Sequence, residues 1–210
     1  MGALVNGYSV AVSGQPQMGP LTGPTGRARI ANLANTLTLL RLVLVPIFLL
    51  ALFAGGGHQV GFRIAAFLIF AVACLTDRLD GLLARNYGMA TEFGAFVDPI
   101  ADKMLVGSAL IGLSMLGDLP WWVTAVILSR ELAVTLLRLI VIRRGVIPAS
   151  WGGKVKTVVQ VVAIGLFILP LSGPFRVAAA VVMGAAIVLT IVTGIDYVVS
   201  TVKEVRRTPR

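Results

Sequence analysis

Four aspartates, Asp77, Asp80, Asp98 and Asp102, stand in sequence that is otherwise apolar, and they are spaced as a helix would space them. Separations of three (77 to 80) and four (98 to 102) put each pair on one helical face, so two adjacent antiparallel helices can converge four carboxylates on one point. Of the nine acidic residues in the chain, five fall from Asp77 to Asp102; the fifth, Glu92, reads as a solvated loop residue. Carboxylates in membrane-spanning sequence are costly unless a cation or partner compensates them. Hard ions such as Mg2+ or Mn2+ take carboxylate oxygens, keep positions open for water and phosphate, and need no His or Cys, which this cluster lacks.

Small residues keep phase with these acids. Gly81 follows Asp77 by four and Ala84 follows Asp80 by four, so a ligand can approach the helix backbone beside the carboxylates. Arg85 offers a planar guanidinium suited to a phosphate, and Gly94, one turn before Asp98, opens space on the facing helix.

The elements that must position these residues follow from composition. With 57% hydrophobic and 13% charged residues, and a mean hydropathy of +0.93, the chain has too little polar residue to cover a water-soluble domain. The expected fold is an all-α membrane protein: six transmembrane helices preceded by a short amphipathic interfacial helix. The spans are expected at about 37–54, 61–86, 94–117, 119–143, 155–171 and 175–200, the fifth being short for a crossing. Arg27 to Asn35 sets Arg27 and Arg29 against Ile30, Leu33 and Ala34, as a helix lying at the membrane surface does. Residues 1–26, rich in Gly, Pro, Ser and Gln, read as a disordered cytoplasmic tail, 27–201 as the six-helix domain and 202–210 as a basic cytoplasmic tail.

Orientation follows from the basic residues. Arg27, Arg29, Arg41, Arg78, Arg85, Lys103, Arg143, Arg144, Lys154, Lys156 and the C-terminal basic residues flank one side, whereas the opposite loops hold only Arg63 and Arg176, so both termini are expected in the cytoplasm. The net charge of +9 is thereby a topology signal; no basic stripe with interleaved aromatics is present, which argues against nucleic acid. Trp121 and Trp122 fit an outer-interface belt. His58, alone in a glycine-rich outer loop, is given no role, and Cys74 reads as a small core residue. Asp196 is expected to meet cytoplasmic water.

The stretch Asp77-x2-Asp80-Gly81-x2-Ala84-Arg85-x8-Gly94-x3-Asp98-x3-Asp102 resembles, position for position, the motif of the CDP-alcohol phosphotransferase family of phospholipid-synthesising membrane enzymes. Asn35-x2-Thr38-x2-Arg41, Ser129-Arg130-Glu131 and Ala149-Ser150-x2-Gly153-Lys154-x-Lys156-Thr157 look like that family's phosphatidylglycerophosphate synthase branch, so the likeness covers residues 32 to about 160. The resemblance implies that Asp77, Asp80 and Asp98 hold two divalent ions, and that Asp102 both contacts metal and acts as general base. It further implies that Asn35, Thr38, Asp80, Gly81, Ala84, Arg85 and Thr91 bind CDP-diacylglycerol. The implied reaction transfers the phosphatidyl group to sn-glycerol 3-phosphate and releases CMP, and the implied assembly is a homodimer.

The acceptor's phosphate requires cations on the same side as the aspartates. Arg130, Lys154 and Lys156 are candidates, and Arg138, two turns after Arg130, can reach the same face. Arg143 and Arg144 are read as orientation signals that bind anionic headgroups. Glu131 is expected to pair with an arginine, and Lys103, beside Asp102, to be an interfacial cation. Inositol phosphate, phosphatidylglycerol or serine as acceptor remain open within the same chemistry, although a basic pocket argues against serine. A divalent-cation transporter would spread its carboxylates through several depths, whereas these share one level.

Overall fold

A computed structural model describes the backbone of residues 24–87, 92–141 and 151–207, and the side chains of residues 39–76, 103–137 and 153–201. The described chain is all-helical. Helix α1 is Pro24–Phe53, followed by a short 3-10 turn η1 at Ala54–Gly57; α2 is Val60–Tyr87, α3 Glu92–Met115, α4 Trp121–Val141, α5 Trp151–Ile168 and α6 Pro174–Arg207.

The six helical segments lie where the apolar periodicity places them. Two differences concern the ends: α6 runs on to Arg207, inside the segment expected as the C-terminal tail, and the start differs as well. The expected surface helix and first span form a single helix, α1, which begins inside the segment expected as tail. Thr36, Leu37 and Thr38, the residues across the expected junction, contain no glycine or proline, so nothing there interrupts the hydrogen-bond ladder. Glycine sets the far end of the hairpin. Gly55, Gly56 and Gly57 take φ of 60°, 74° and 78°, the left-handed region that glycine enters without steric cost, and α1 stops there. Gly57 is also pressed against Leu116, just past the end of α3, whose Cδ2 a Cβ added to it would overlap.

Residues of like helical phase meet in the core. Phe48 and Leu52 of α1, Ala66, Phe70 and Ala73 of α2, and Leu105, Ala109 and Leu113 of α3 are buried, with the rings of Phe48 and Phe70 5.8 Å apart and tilted by 46°. Val123 and Ile127 of α4, Ala163, Ile164 and Ile168 of α5, and Met183 and Ala186 of α6 complete it. Helix α1 packs on α2 and α3, α5 on α6 and α2, and α4 on α6 and α3.

The outward faces are aliphatic as well. Leu42, Val43, Ile47 and Leu50 of α1, Leu68, Val72 and Leu75 of α2, and Val181, Val188, Ile191 and Ile195 of α6 are all exposed. A helix apolar on every side belongs in lipid. Leu39–Gly57, 19 residues, and Pro174–Thr201, 28 residues, are long and apolar enough to cross a membrane, and Val60–Thr76 and Lys103–Met115 are shorter apolar stretches. This is a membrane protein.

Candidate active site

An ion cluster at one end of the bundle fixes how the helices run. Arg63, in the first turn of α2, is buried, and its Nη2 pairs with Oδ2 of Asp118, just beyond the end of α3. Its Nε donates to Gly57 O at 2.5 Å, and its Nη1 to Phe167 O and Ile168 O at 3.4 Å. Arg176 at the start of α6 reaches the same Asp118, 3.7 Å from Oδ1, and lies 5.9 Å above the Phe167 ring. Three connections are thereby tied together: η1, the α3–α4 turn and the α5–α6 turn. Since the start of α2 lies beside the end of α3, the two helices are antiparallel.

The opposite ends of α2 and α3 carry the aspartates. Asp77 and Asp80 lie in the second half of α2 and Asp98 and Asp102 in the first half of α3, on helices that touch. Gly81, Ala84 and Arg85 occupy the final turns of α2, Gly94 the first turn of α3, and Asn35 and Thr38 the middle of α1. Their backbone is helical, and the side chains of all these residues, with that of Arg138 on α4, lie outside the described set; Thr91 lies outside the described residues altogether. Arg41, one turn beyond Thr38, is 1% exposed, so the family-like Asn35-x2-Thr38-x2-Arg41 stretch ends in a guanidinium buried within the bundle.

A second ion cluster is described at this end, centred on Glu131 of α4. Lys156 of α5, 3% exposed, pairs with Glu131 Oε1. Arg130 Nη1 lies 3.4 Å from the same oxygen, and Lys103 Nζ of α3 lies 3.5 Å from Oε2 and 3.4 Å from the Glu131 carbonyl oxygen. Arg130 Nη2 donates to Thr193 Oγ1 of α6 at 3.0 Å, and Thr193 in turn donates to Leu189 O at 2.6 Å. Gly194 lets the arginine cross α6, since a Cβ there would sit 3.1 Å from Arg130 Cγ. Side chains of α3, α4 and α5 therefore meet at one carboxylate, and α6 is joined to them through Arg130.

The arrangement gathers some of the expected acceptor residues and separates others. Arg130 and Lys156 converge, while Lys154, two residues and roughly 200° of helix away from Lys156, is exposed. Glu131 does pair with an arginine, as expected, but Lys156 is its closer partner. Lys103, expected to be an interfacial cation, directs its Nζ at Glu131. Nothing in the sequence announced Thr193, an ordinary helix threonine by type.

Between α4 and α6 an apolar groove of ≈ 320 Å³ opens beside the cluster, lined by Ala133, Val134, Ile191, Gly194 and Ile195 with Arg130 as its polar member. Three cations about one carboxylate leave a surplus of two positive charges in a partly buried site.

A family model described as CDP-alcohol phosphatidyltransferase matches residues 31–192. The chain is 74% identical over 198 residues, 94% of its length and 93% of the relative's, to a "Probable phosphatidylglycerophosphate synthase" of Mycobacterium tuberculosis (strain ATCC 25618 / H37Rv). It is 40% identical over 180 residues (79% of this chain, 93% of the relative) to a Bacillus subtilis (strain 168) protein named CDP-diacylglycerol--glycerol-3-phosphate 3-phosphatidyltransferase. An Escherichia coli (strain K12) protein of the same name is 40% identical over 139 residues, 63% of this chain and 74% of the relative.

Proposed function

Because the chain belongs to the CDP-alcohol phosphatidyltransferase family, we propose that it transfers the phosphatidyl group of CDP-diacylglycerol to sn-glycerol 3-phosphate, forming phosphatidylglycerophosphate and CMP. The observation that carries the acceptor is the convergence of Lys103, Arg130 and Lys156 on the single carboxylate of Glu131. Its two surplus charges match a phosphate monoester, which carries about −1.5 to −2 at neutral pH. Serine has no such group.

Four carboxylates on two touching antiparallel helices, with no histidine or cysteine among them, fit hard divalent cations. Asp77, Asp80 and Asp98 would hold two ions and Asp102 would share in holding them. When bound, Mg2+ or Mn2+ supplies neutralisation of the diphosphate and of the charge that develops on CMP. The chain's own residues do the rest. Asn35, Thr38, Gly81, Ala84, Arg85 and Thr91 seat the nucleotide part of the donor. Arg130 and Lys156 hold the acceptor phosphate, with Lys154 and Arg138 on the approach. Asp102 takes the proton of the acceptor's primary hydroxyl as that oxygen bonds to the phosphorus bearing diacylglycerol. The bond from that phosphorus to the CMP oxygen breaks, and CMP departs with the electron pair.

The same reading places all six helices across the membrane, with the amphipathic start of α1 at its surface, both termini and the site on the cytoplasmic side, and two chains in the active assembly. Such a site lies where acyl chains find lipid while nucleotide and acceptor find water. On this reading residues 1–26 and 202–210 flank the six-helix domain on the cytoplasmic side, with the ends of α1 and α6 reaching into them.

The test is competition. Given CDP-diacylglycerol and Mg2+ with glycerol 3-phosphate, inositol phosphate, serine and phosphatidylglycerol together, the protein is expected to make phosphatidylglycerophosphate, and a different lipid product would replace the acceptor. In the same assay Lys156→Ala is expected to raise the acceptor KM by about tenfold or more, the loss of one charge-assisted hydrogen bond, and to leave the donor KM unchanged. An equal effect on both substrates would remove Lys156 from the acceptor pocket.

A further inference from the structure

Lys103 sits where the two parts of the site join. It follows Asp102 on α3, so the two Cα atoms are about 3.8 Å apart, and successive helical side chains diverge by about 100°. The face of α3 next to the aspartates therefore presents an ammonium group to α4. A lysine at a membrane surface normally extends its head to water. This one does the reverse: its side chain is 29% exposed, and Nζ approaches both the carboxylate of Glu131 at 3.5 Å and the carbonyl oxygen of the same residue at 3.4 Å.

Among Arg130, Lys156 and Lys103, Lys103 alone shares a helix with the candidate base. Lys156 is the most deeply buried, and Arg130 has one of its two terminal nitrogens engaged by Thr193. The acceptor has a phosphate at one end and its reacting hydroxyl at the other, three carbons away. A phosphate held by a residue adjacent to Asp102 keeps the far hydroxyl within the reach of that carboxylate. We infer that Lys103 is a further acceptor-binding residue, which grips the phosphate beside Arg130 and Lys156 and sets the distance at which the hydroxyl meets Asp102. Lys103 is thereby a specificity determinant: it favours acceptors whose phosphate and hydroxyl are a short fixed span apart.

This inference rests on the acceptor reading given above, and its failure is distinguishable from the failure of that reading. Full-length Lys103→Met and Lys103→Arg enzymes are assayed with CDP-diacylglycerol, Mg2+ and glycerol 3-phosphate, alongside Lys156→Ala. Lys103→Met is expected to raise the acceptor KM about tenfold or more with the donor KM unchanged, and Lys103→Arg, which keeps the charge, to stay within about threefold of the parent. The donor KM also reports that the variant is folded; should Lys103→Met fail to fold, Lys103→Gln is read in its place. An unchanged acceptor KM in Lys103→Met, with Lys156→Ala still impaired, overturns the assignment of Lys103 alone. A loss confined to kcat overturns it too and ties Lys103 to Asp102 instead. Unchanged acceptor KM in both variants overturns the acceptor site itself.

Discussion

Asp102→Asn is expected to bind CDP-diacylglycerol as the parent does and to lose turnover by about a hundredfold or more, the usual worth of a positioned base. The substitution conserves volume and one oxygen, so packing in the first half of α3 is unchanged and an amide can still lie beside a cation. What it removes is the ability to accept a proton. CMP release gives kcat, and displacement of labelled donor gives its affinity. Unchanged turnover would remove Asp102 as base. Raising Mg2+ separates its two assigned roles: turnover that returns with excess ion would make holding metal its principal contribution, whereas a persistent loss assigns it the proton.

Arg63→Met is expected to be the most destabilising of the substitutions considered, by about 3–5 kcal/mol, because it strands partners that were buried with the guanidinium. Asp118 would lose its closest cation, and the carbonyls of Gly57, Phe167 and Ile168 would lose donors in a place where water does not readily replace them. Arg176→Met is the control. That side chain is 49% exposed and stands 3.7 Å from Asp118, so its removal is expected to cost no more than about 1 kcal/mol. Thermal unfolding of both variants in the same detergent decides the matter: equal, small shifts would mean that the tie between the three connections does not hold the bundle together.

The two clusters show what a single sequence can and cannot reveal. Spacing alone picked out Asp77, Asp80, Asp98 and Asp102, because helical phase depends only on positions within one segment. Apolar periodicity likewise located six helices, with bounds close to those observed except at the start of α1 and the end of α6. Pairing between helices is different information. Asp118 meets a residue 55 positions earlier, and Glu131 meets residues 25 and 28 positions away. Phase says which way a side chain faces, not which helix stands opposite or at what height. Arg63 and Arg176 were legible as rare cations on a side that otherwise avoids them, yet the reason for their presence, one shared carboxylate, was not. The contact of Lys103 with Glu131 was hidden for the same cause: without the register of α3 against α4, a lysine beside an interface gives no sign of the carboxylate it meets. The continuity of α1 was hidden differently, since a change in amphipathic character suggested a break that the backbone has no reason to make.

The aliphatic outer faces of α1, α2 and α6 have a consequence for which positions are free to drift. Acyl chains accept leucine, valine or isoleucine with little preference, so exchange among them on those faces alters neither shape recognition nor net polarity. Divergence can accumulate there at small cost, whereas the polar ties at the two ends tolerate little. Across related proteins, tolerance should therefore track the direction a side chain faces more closely than its place along the chain.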